Sequence, residues 1–366
     1  MHKKILILCP YPFGVAGGQR LKYEQYFNHW KTNGYEIEVA SFFDLELWNV
    51  LYEPSNYFKK IFGTIKGFLR RLIILFKVKN YDSVYIFMWV APFGDTFFER
   101  CVSKLAKSVI FDFDDFVHID QLGSNESIMS AFFSRLKSGH KKTNYLIHHS
   151  DHVIISSPFH FEYCRALNKN NNCDYIPCSL NTDRFLPKKV SKEEKKVTIG
   201  WTGTFSSKPY LDSIKNALYE VNKTHDYKLR IIGNFDYKLP GIDLEVINWS
   251  LTKEIEDLQA IDIGIYPIFT DEWGLGKGGL KAMQYMAIGI PVVATDYGTS
   301  SDILNHKKDS LLVKNEKEWA EALIFLIENP EKRKVYGESG RQNVVKNYSV
   351  EAVKSKYLAI LNANCL

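Results

Sequence analysis

The chain has no uncharged apolar run near the eighteen or so residues that a membrane-crossing helix needs. Cysteine is sparse. Its six residues (Cys9, Cys101, Cys164, Cys173, Cys178, Cys365) are scattered without metal-ligand spacing, which argues for free thiols and against a disulfide scaffold. No Gly-Lys-Ser/Thr run occurs, so the chain has no Walker phosphate loop. Low-complexity segments and short-period repeats are also missing. Charge is only mildly one-sided, 47 Lys and Arg against 42 Asp and Glu, and the formal charge of +5 suits an anionic ligand or surface. No nucleic-acid motif accompanies it, and no nucleic-acid partner is expected. The opening "MHKKILILCPYPFG" is broken by Pro10 and Pro12, too short for a signal peptide's core. It reads as a first buried strand, and a cytoplasmic protein is expected.

A length of 366 residues fits two domains. Two segments repeat one logic. Residues 3–42 run strand, glycine loop "FGVAGGQR", helix, Gly34 as a stop, strand. Residues 195–234 run strand, loop "TGTFSSKPY", helix from about Pro209, strand. Further strands are expected at 83–90, 108–113, 152–157 and 173–177, then at 244–248, 261–268, 291–295 and 310–313. Strands alternating with helices imply parallel sheets covered on both faces, here two Rossmann-like units. The charged run 181–197 is the expected junction.

The stretch "DEWGLGKGGLKAMQYMAIGIPVVA" (271–294) concentrates glycines and lysines ahead of a short helix. Over 280–288, Ala282, Met283, Met286 and Ala287 share one helical face that should be core, while Lys281 and Gln284 share another. Backbone N–H groups of Gly276, Gly278 and Gly279, the helix end at Leu280, and the charges of Lys277 and Lys281 can together hold a polyanion such as a diphosphate. The alternative is a tight turn carrying two solvated lysines.

The run "KAMQYMAIGIPVVATDYG" resembles the C-terminal signature of family 4 glycosyltransferases of the GT-B fold. Supporting matches are "FGVAGGQR", "DFDD", "SSPFHFEYCR", "IPCSLNTDRF", "IGWTGT" and "IIGNF". The resemblance implies two Rossmann-like α/β domains with parallel sheets facing a central cleft. It assigns 1–185 to the acceptor side and 186–349 to the nucleotide sugar, with a last helix at about 350–366 packing back on the first domain. It implies transfer of a sugar from a nucleoside-diphosphate donor to a glycan or lipid-linked acceptor, with retained configuration and neither metal nor cofactor, in cell-surface polysaccharide or lipopolysaccharide synthesis. Lys277, Lys281 and the helix end would hold the diphosphate and stabilise the leaving group, with Gly17 and Gly18 approaching from the first domain. Gly203 and Lys208 would join from the second glycine loop, the alternative for Lys208 being a solvated loop lysine. Gln284 stands where the family's second glutamate binds ribose, and Asn248 and Trp249 are nucleobase candidates. The pattern's first glutamate falls on Gly276, with Asp271 and Glu272 nearby.

The cluster "FDFDDFVHID" offers Asp112, Asp114, Asp115 and His118 at a strand end. Asp114 matches the place of a family residue near sugar and acceptor; the alternatives are a capping role or an Asp-x-Asp metal site. Residues 57–79 read as a basic amphipathic helix. Its apolar side is Ile61, Phe62, Ile65, Phe68, Leu69, Leu72 and Phe76, and its polar side is Lys59, Lys60, Lys66, Arg70 and Arg71. Peripheral contact with an anionic membrane on its inner face is expected, core packing being the alternative. Two other functions stay open at this stage: a sugar-nucleotide epimerase of similar build, and an inactive nucleotide-sugar binder.

Overall fold

The computed structural model describes residues 2–51, 53, 55–114, 139–187 and 196–365. Asp115 and His118, and residues 188–195 of the expected junction, lie outside them. The chain divides into two compact units, Met1–Pro177 with Val353–Leu366, and Cys178–Ala352.

The first unit is built on β1 (Lys3–Cys9), β2 (Tyr35–Ser41), β3 (Ser83–Phe87), β4 (Val109–Phe113), β5 (His152–Ile155) and β6 (Cys173–Tyr175). All pair in parallel, in the order β2-β1-β3-β4-β5-β6, with Ile5 of β1 opposite Ile37 and Ser83. Continuous apolar runs explain this: Ile5, Leu6, Ile7 and Leu8 are all buried, as a strand covered on both faces requires.

The expected single helix after the glycine loop is instead interrupted, running Gly17–Arg20, a 3₁₀ turn at Glu24–Tyr26, then Phe27–Thr32. Polar partners on the loop and sheet account for the break. Lys22 turns inward to pair with Asp112 at 2.5 Å. The Glu24 carboxylate accepts from the Gly14 N–H at 2.9 Å, and the Gln19 side chain bonds both backbone groups of Tyr11 at 3.0 Å. Residues from the helix Val350–Asn364 complete this core, where the Tyr357 ring packs at a tilt against Tyr26 and Trp30 with centroids 4.7 and 6.0 Å apart.

The second unit holds β7 (Thr198–Thr202), β8 (Lys228–Gly233), β9 (Asp243–Asn248), β10 (Ile263–Tyr266), β11 (Val292–Thr295) and β12 (Ser310–Val313). Their order is β12-β11-β10-β7-β8-β9, again all parallel. The chain builds outward from β7 to β9, then returns to β7's other side with β10. The carboxyl ends of β7 and β10 therefore flank a topological switch point, where open α/β sheets take ligands.

Candidate functional site

In the second unit the switch point is organised by the helix Leu280–Ala287. Its N-cap is Gly279 at φ +70°, a left-handed conformation, and a Cβ there would stand 2.5 Å from Ile303. No side chain caps this end, and the first intrahelical bond runs from the Met283 N–H to the Gly279 carbonyl at 3.1 Å. Such an end carries partial positive charge and outward-pointing N–H groups.

This helix is not amphipathic as the spacing predicts. Residues 282–287 are all buried, Gln284 with Met283 and Met286. The reason is that it is enclosed by β10 on one side, where Gly264 leaves room for Tyr285, and by the helix Pro330–Asn347 on another, where Gly340 lies against Met286. Gln284 retains 7% exposure, and no hydrogen bond engages its amide among the described residues. The Tyr285 hydroxyl accepts from the Thr202 N–H at 2.8 Å, which ties the helix to the end of β7.

That tie sets the loop after β7 against Lys281. Its Nζ lies 4.9 Å from the centroid of Trp201 and 3.3 Å from the Ser207 hydroxyl. A Cβ on Gly203 would stand 2.2 Å from Trp201 and 2.8 Å from Lys281 Nζ, so glycine permits this approach. Lys277 is likewise half-buried, its Nζ 5.4 Å from the Trp273 ring and 6.0 Å from that of Tyr210. Aromatic faces hold these ammonium groups by electrostatic attraction. Lys208 opens the helix Lys208–Asp212 beside Ser207, with its Nζ 5.7 Å from the Tyr237 ring.

Lys281, Gly203 and the loop leading to Lys208 thus come together at one strand end, with Gly276, Gly278, Gly279 and Leu280 on the segment that carries Lys277. Gly276 closes the short helix Glu272–Leu275. Asp271 is occupied there as its N-cap, accepting from the Gly274 N–H at 2.7 Å, and Glu272 is exposed. Asn248 ends the edge strand β9, and Trp249 beyond it is 37% exposed, its N–H bonded to the Gly233 carbonyl at 2.9 Å. A surface concavity beside β12, lined by Asp296, His306, Lys314, Glu318 and Tyr336, contains none of these residues.

In the first unit, Gly17 and Gly18 begin the short helix after the glycine loop, and a Cβ on either meets nothing within 4 Å. Asp114 follows β4 and accepts from the Ser156 hydroxyl at 2.7 Å. Asp112, the first acid of the Asp-x-Asp, is fully buried, paired with Lys22 and bonded by the Tyr85 hydroxyl. Burial pushes its carboxyl above the usual range, against the pull of the Lys22 ammonium. Its oxygens are engaged inside the unit, which does not suit a diphosphate-bridging metal ligand. The sequence reading missed Trp201, Ser207 and Tyr285. The one available signal was Trp201's place in the strand "TIGWT", immediately before the glycine loop.

Two parallel six-stranded sheets, with a cationic helix end at the switch point of the second, define an α/β protein of the GT-B glycosyltransferase fold. Residues 182–343 match the family model described as glycosyl transferases group 1. No curated protein matches the chain. Among solved structures it is similar to sucrose-phosphate synthase from Thermosynechococcus elongatus, at 14% identity and TM-score 0.73 over 99% of both chains. It is similar to Anabaena HepE in complex with UDP and glucose, at 12% identity and TM-score 0.66 over 99% of this chain and 100% of that one. The catalytic domain of starch synthase IV from Arabidopsis thaliana, bound to ADP and acarbose, gives 12% identity and TM-score 0.65 over 100% and 99%.

Proposed function

We propose that the protein transfers a glycosyl group from a nucleoside-diphosphate sugar to a glycan or lipid-linked hydroxyl, with retention of configuration and no required metal, in the assembly of cell-surface polysaccharide or lipopolysaccharide. The observation that carries this reading is the Lys281 ammonium, held between Trp201 and Ser207 beside an uncapped helix end at the switch point. Breaking the bond between the sugar's C1 and the diphosphate oxygen leaves negative charge on that oxygen. Fixed donors aimed at it lower the barrier because they need no reorganisation as the charge develops. Lys281, the N–H groups after Gly279 and Lys277 supply those donors, with Lys208 reaching the same phosphates.

Gln284 receives the ribose hydroxyls, which suits a buried amide without a hydrogen-bond partner among the described residues. Trp249 and Asn248 flank the base, and Asp114 contacts sugar or acceptor. Gly17 and Gly18 leave open space for donor or acceptor on the first unit. The ligands bound by HepE and starch synthase IV put uridine and adenosine diphosphates first in a panel of donors.

The test is a thermal-shift screen against UDP, ADP, GDP, dTDP and their sugars, followed by product analysis with and without acceptor. A nucleotide at a hundred times its Kd should stabilise the fold by roughly 2.7 kcal/mol. Acceptor-dependent release of nucleoside diphosphate supports transfer. Isomerisation of donor alone would make the protein an epimerase, and binding without turnover would make it an inactive binder.

A further inference from the structure

The helix Tyr57–Leu75 turns its largest apolar side chains outward. Phe58 is 89% exposed, Phe62 61%, and Phe76, just past the helix end, 84%. Tyr57, Ile61, Ile65, Leu69, Leu72 and Ile73 are exposed beside them. The docked stripe is made of other residues. A Cβ on Gly63 would stand 2.7 Å from Leu47 and one on Gly67 2.6 Å from Phe42, so the helix backbone itself lies against its unit. Arg71 and Ile74 continue that stripe, both buried. The Arg71 guanidinium donates to the carbonyls of Ala40 and Cys9, each at 2.9 Å, and to that of Val90. At about 100° per residue, the exposed apolar arc covers roughly 160° and lies opposite the docked stripe.

Charge borders this arc. Residues 57–79 contain no Asp or Glu. Lys66 and Arg70 pair with Glu46 and Asp44 at 3.6 and 3.4 Å, but exposed Lys59, Lys77 and Lys79 have no carboxylate partner among the described residues. A contiguous apolar face of this extent is rare on a soluble monomer's surface. Helices that lie in the headgroup layer combine such a face with a cationic border.

We propose that Tyr57–Leu75 and the following residues through Lys79 dock on a bilayer with anionic headgroups. The aromatic and aliphatic face sinks into the headgroup–acyl boundary, and Lys59, Lys77 and Lys79 meet lipid phosphates. Arg71 transmits this docking to the sheet, because it grips the carboxyl ends of β1 and β2, where loops of that unit begin. Docking stands whether or not the protein transfers sugar.

The test is co-sedimentation of the full chain with phosphatidylcholine vesicles, with and without phosphatidylglycerol, at low and high salt. Binding should require phosphatidylglycerol and weaken in salt. Exchanging each of Lys59, Lys77 and Lys79 for Gln should weaken it about fivefold. Phe58→Ser, Phe62→Ser and Phe76→Ser combined should weaken it by about a hundredfold or more at an unchanged melting temperature, since these rings are exposed in the folded unit. Absence of sedimentation at low salt, equal binding to phosphatidylcholine alone, or full binding by the triple variant would overturn the proposal. So would a wild-type dimer that ignores vesicles and becomes monomeric in the triple variant, which would make the helix a protein interface.

Discussion

Replacing Lys281 with methionine separates the charge of this side chain from its packing. The ammonium lies 4.9 Å over Trp201 and 3.3 Å from Ser207, and the stem is half-buried. Methionine keeps most of the stem's contacts but removes the cation. Without ligand, the partly exposed cation–π contact contributes about 0.5–1 kcal/mol of the loss. For a unit of this size that lowers Tm by roughly 1–4 °C. With ligand, the missing group is a charge-assisted donor to phosphate, about 1.5–3 kcal/mol, which weakens nucleoside-diphosphate binding roughly ten- to a hundredfold. Transfer should lose at least as much, because the same donor faces the charge that grows on the leaving oxygen. Lys281→Arg should recover much of both. The assay is calorimetric titration of UDP and ADP into each variant beside a melt. A methionine variant that melts slightly lower but binds nucleotide like the wild type would show that Lys281 only packs on Trp201, and the phosphate reading of the helix end would fall with it.

Gly279→Ala should cost about 1–3 kcal/mol in chemical denaturation, because a Cβ at φ +70° is strained and meets Ile303 at 2.5 Å. A loss of a few tenths would show that the helix end is not held there. Gln284→Ala should weaken UDP binding by about tenfold or less, the worth of a neutral hydrogen bond, and should matter less for a 2′-deoxy nucleotide. Equal losses for both sugars would remove the ribose role. Burial lowers the ammonium of Lys142, which donates to the Ala91 carbonyl at 2.7 Å, from 10.5 to about 8. Between those pH values the unfolded chain binds the extra proton, so this group's contribution to stability rises with pH. The stability difference between wild type and Lys142→Met should move in the wild type's favour from pH 8 to 10.5, and a flat difference across that window would refute the shift.

The strands were legible because buried parallel strands read as unbroken apolar runs. "IDIGIYPI" and "PVVAT" became β10 and β11 within two residues at each end. The glycine–lysine segment was legible as a helix start for a related reason: glycine at the cap and apolar spacing behind it are local signals. The enclosure of Leu280–Ala287 was not. It depends on Gly264 and Gly340, which lie far from that helix in sequence and make room for its neighbours. The interior cations were hidden too. Lys22, Arg71 and Lys142 sit in stretches where a basic residue ordinarily marks a solvated face, and their partners are a distant carboxylate or backbone carbonyls that no local pattern reveals. In residues 57–79 the periodicity was plain, but which face docks was set by Gly63 and Gly67, whose lack of side chains is their contribution.

The first unit is assembled from two stretches of chain on either side of the second, and this orders events during synthesis. Tyr26 and Trp30 leave the ribosome early, yet Tyr357, a ring packed against both, is made only after the whole of the second unit. The intervening unit, Cys178–Ala352, must be translated in between. At bacterial or eukaryotic speeds this takes on the order of ten to thirty seconds, during which those aromatic rings lack the cover of Tyr357. A stop codon between Ala352 and Tyr357 therefore injures the unit that was made first. Truncated chains should expose its core to chaperones and proteases while the unit made second is already whole.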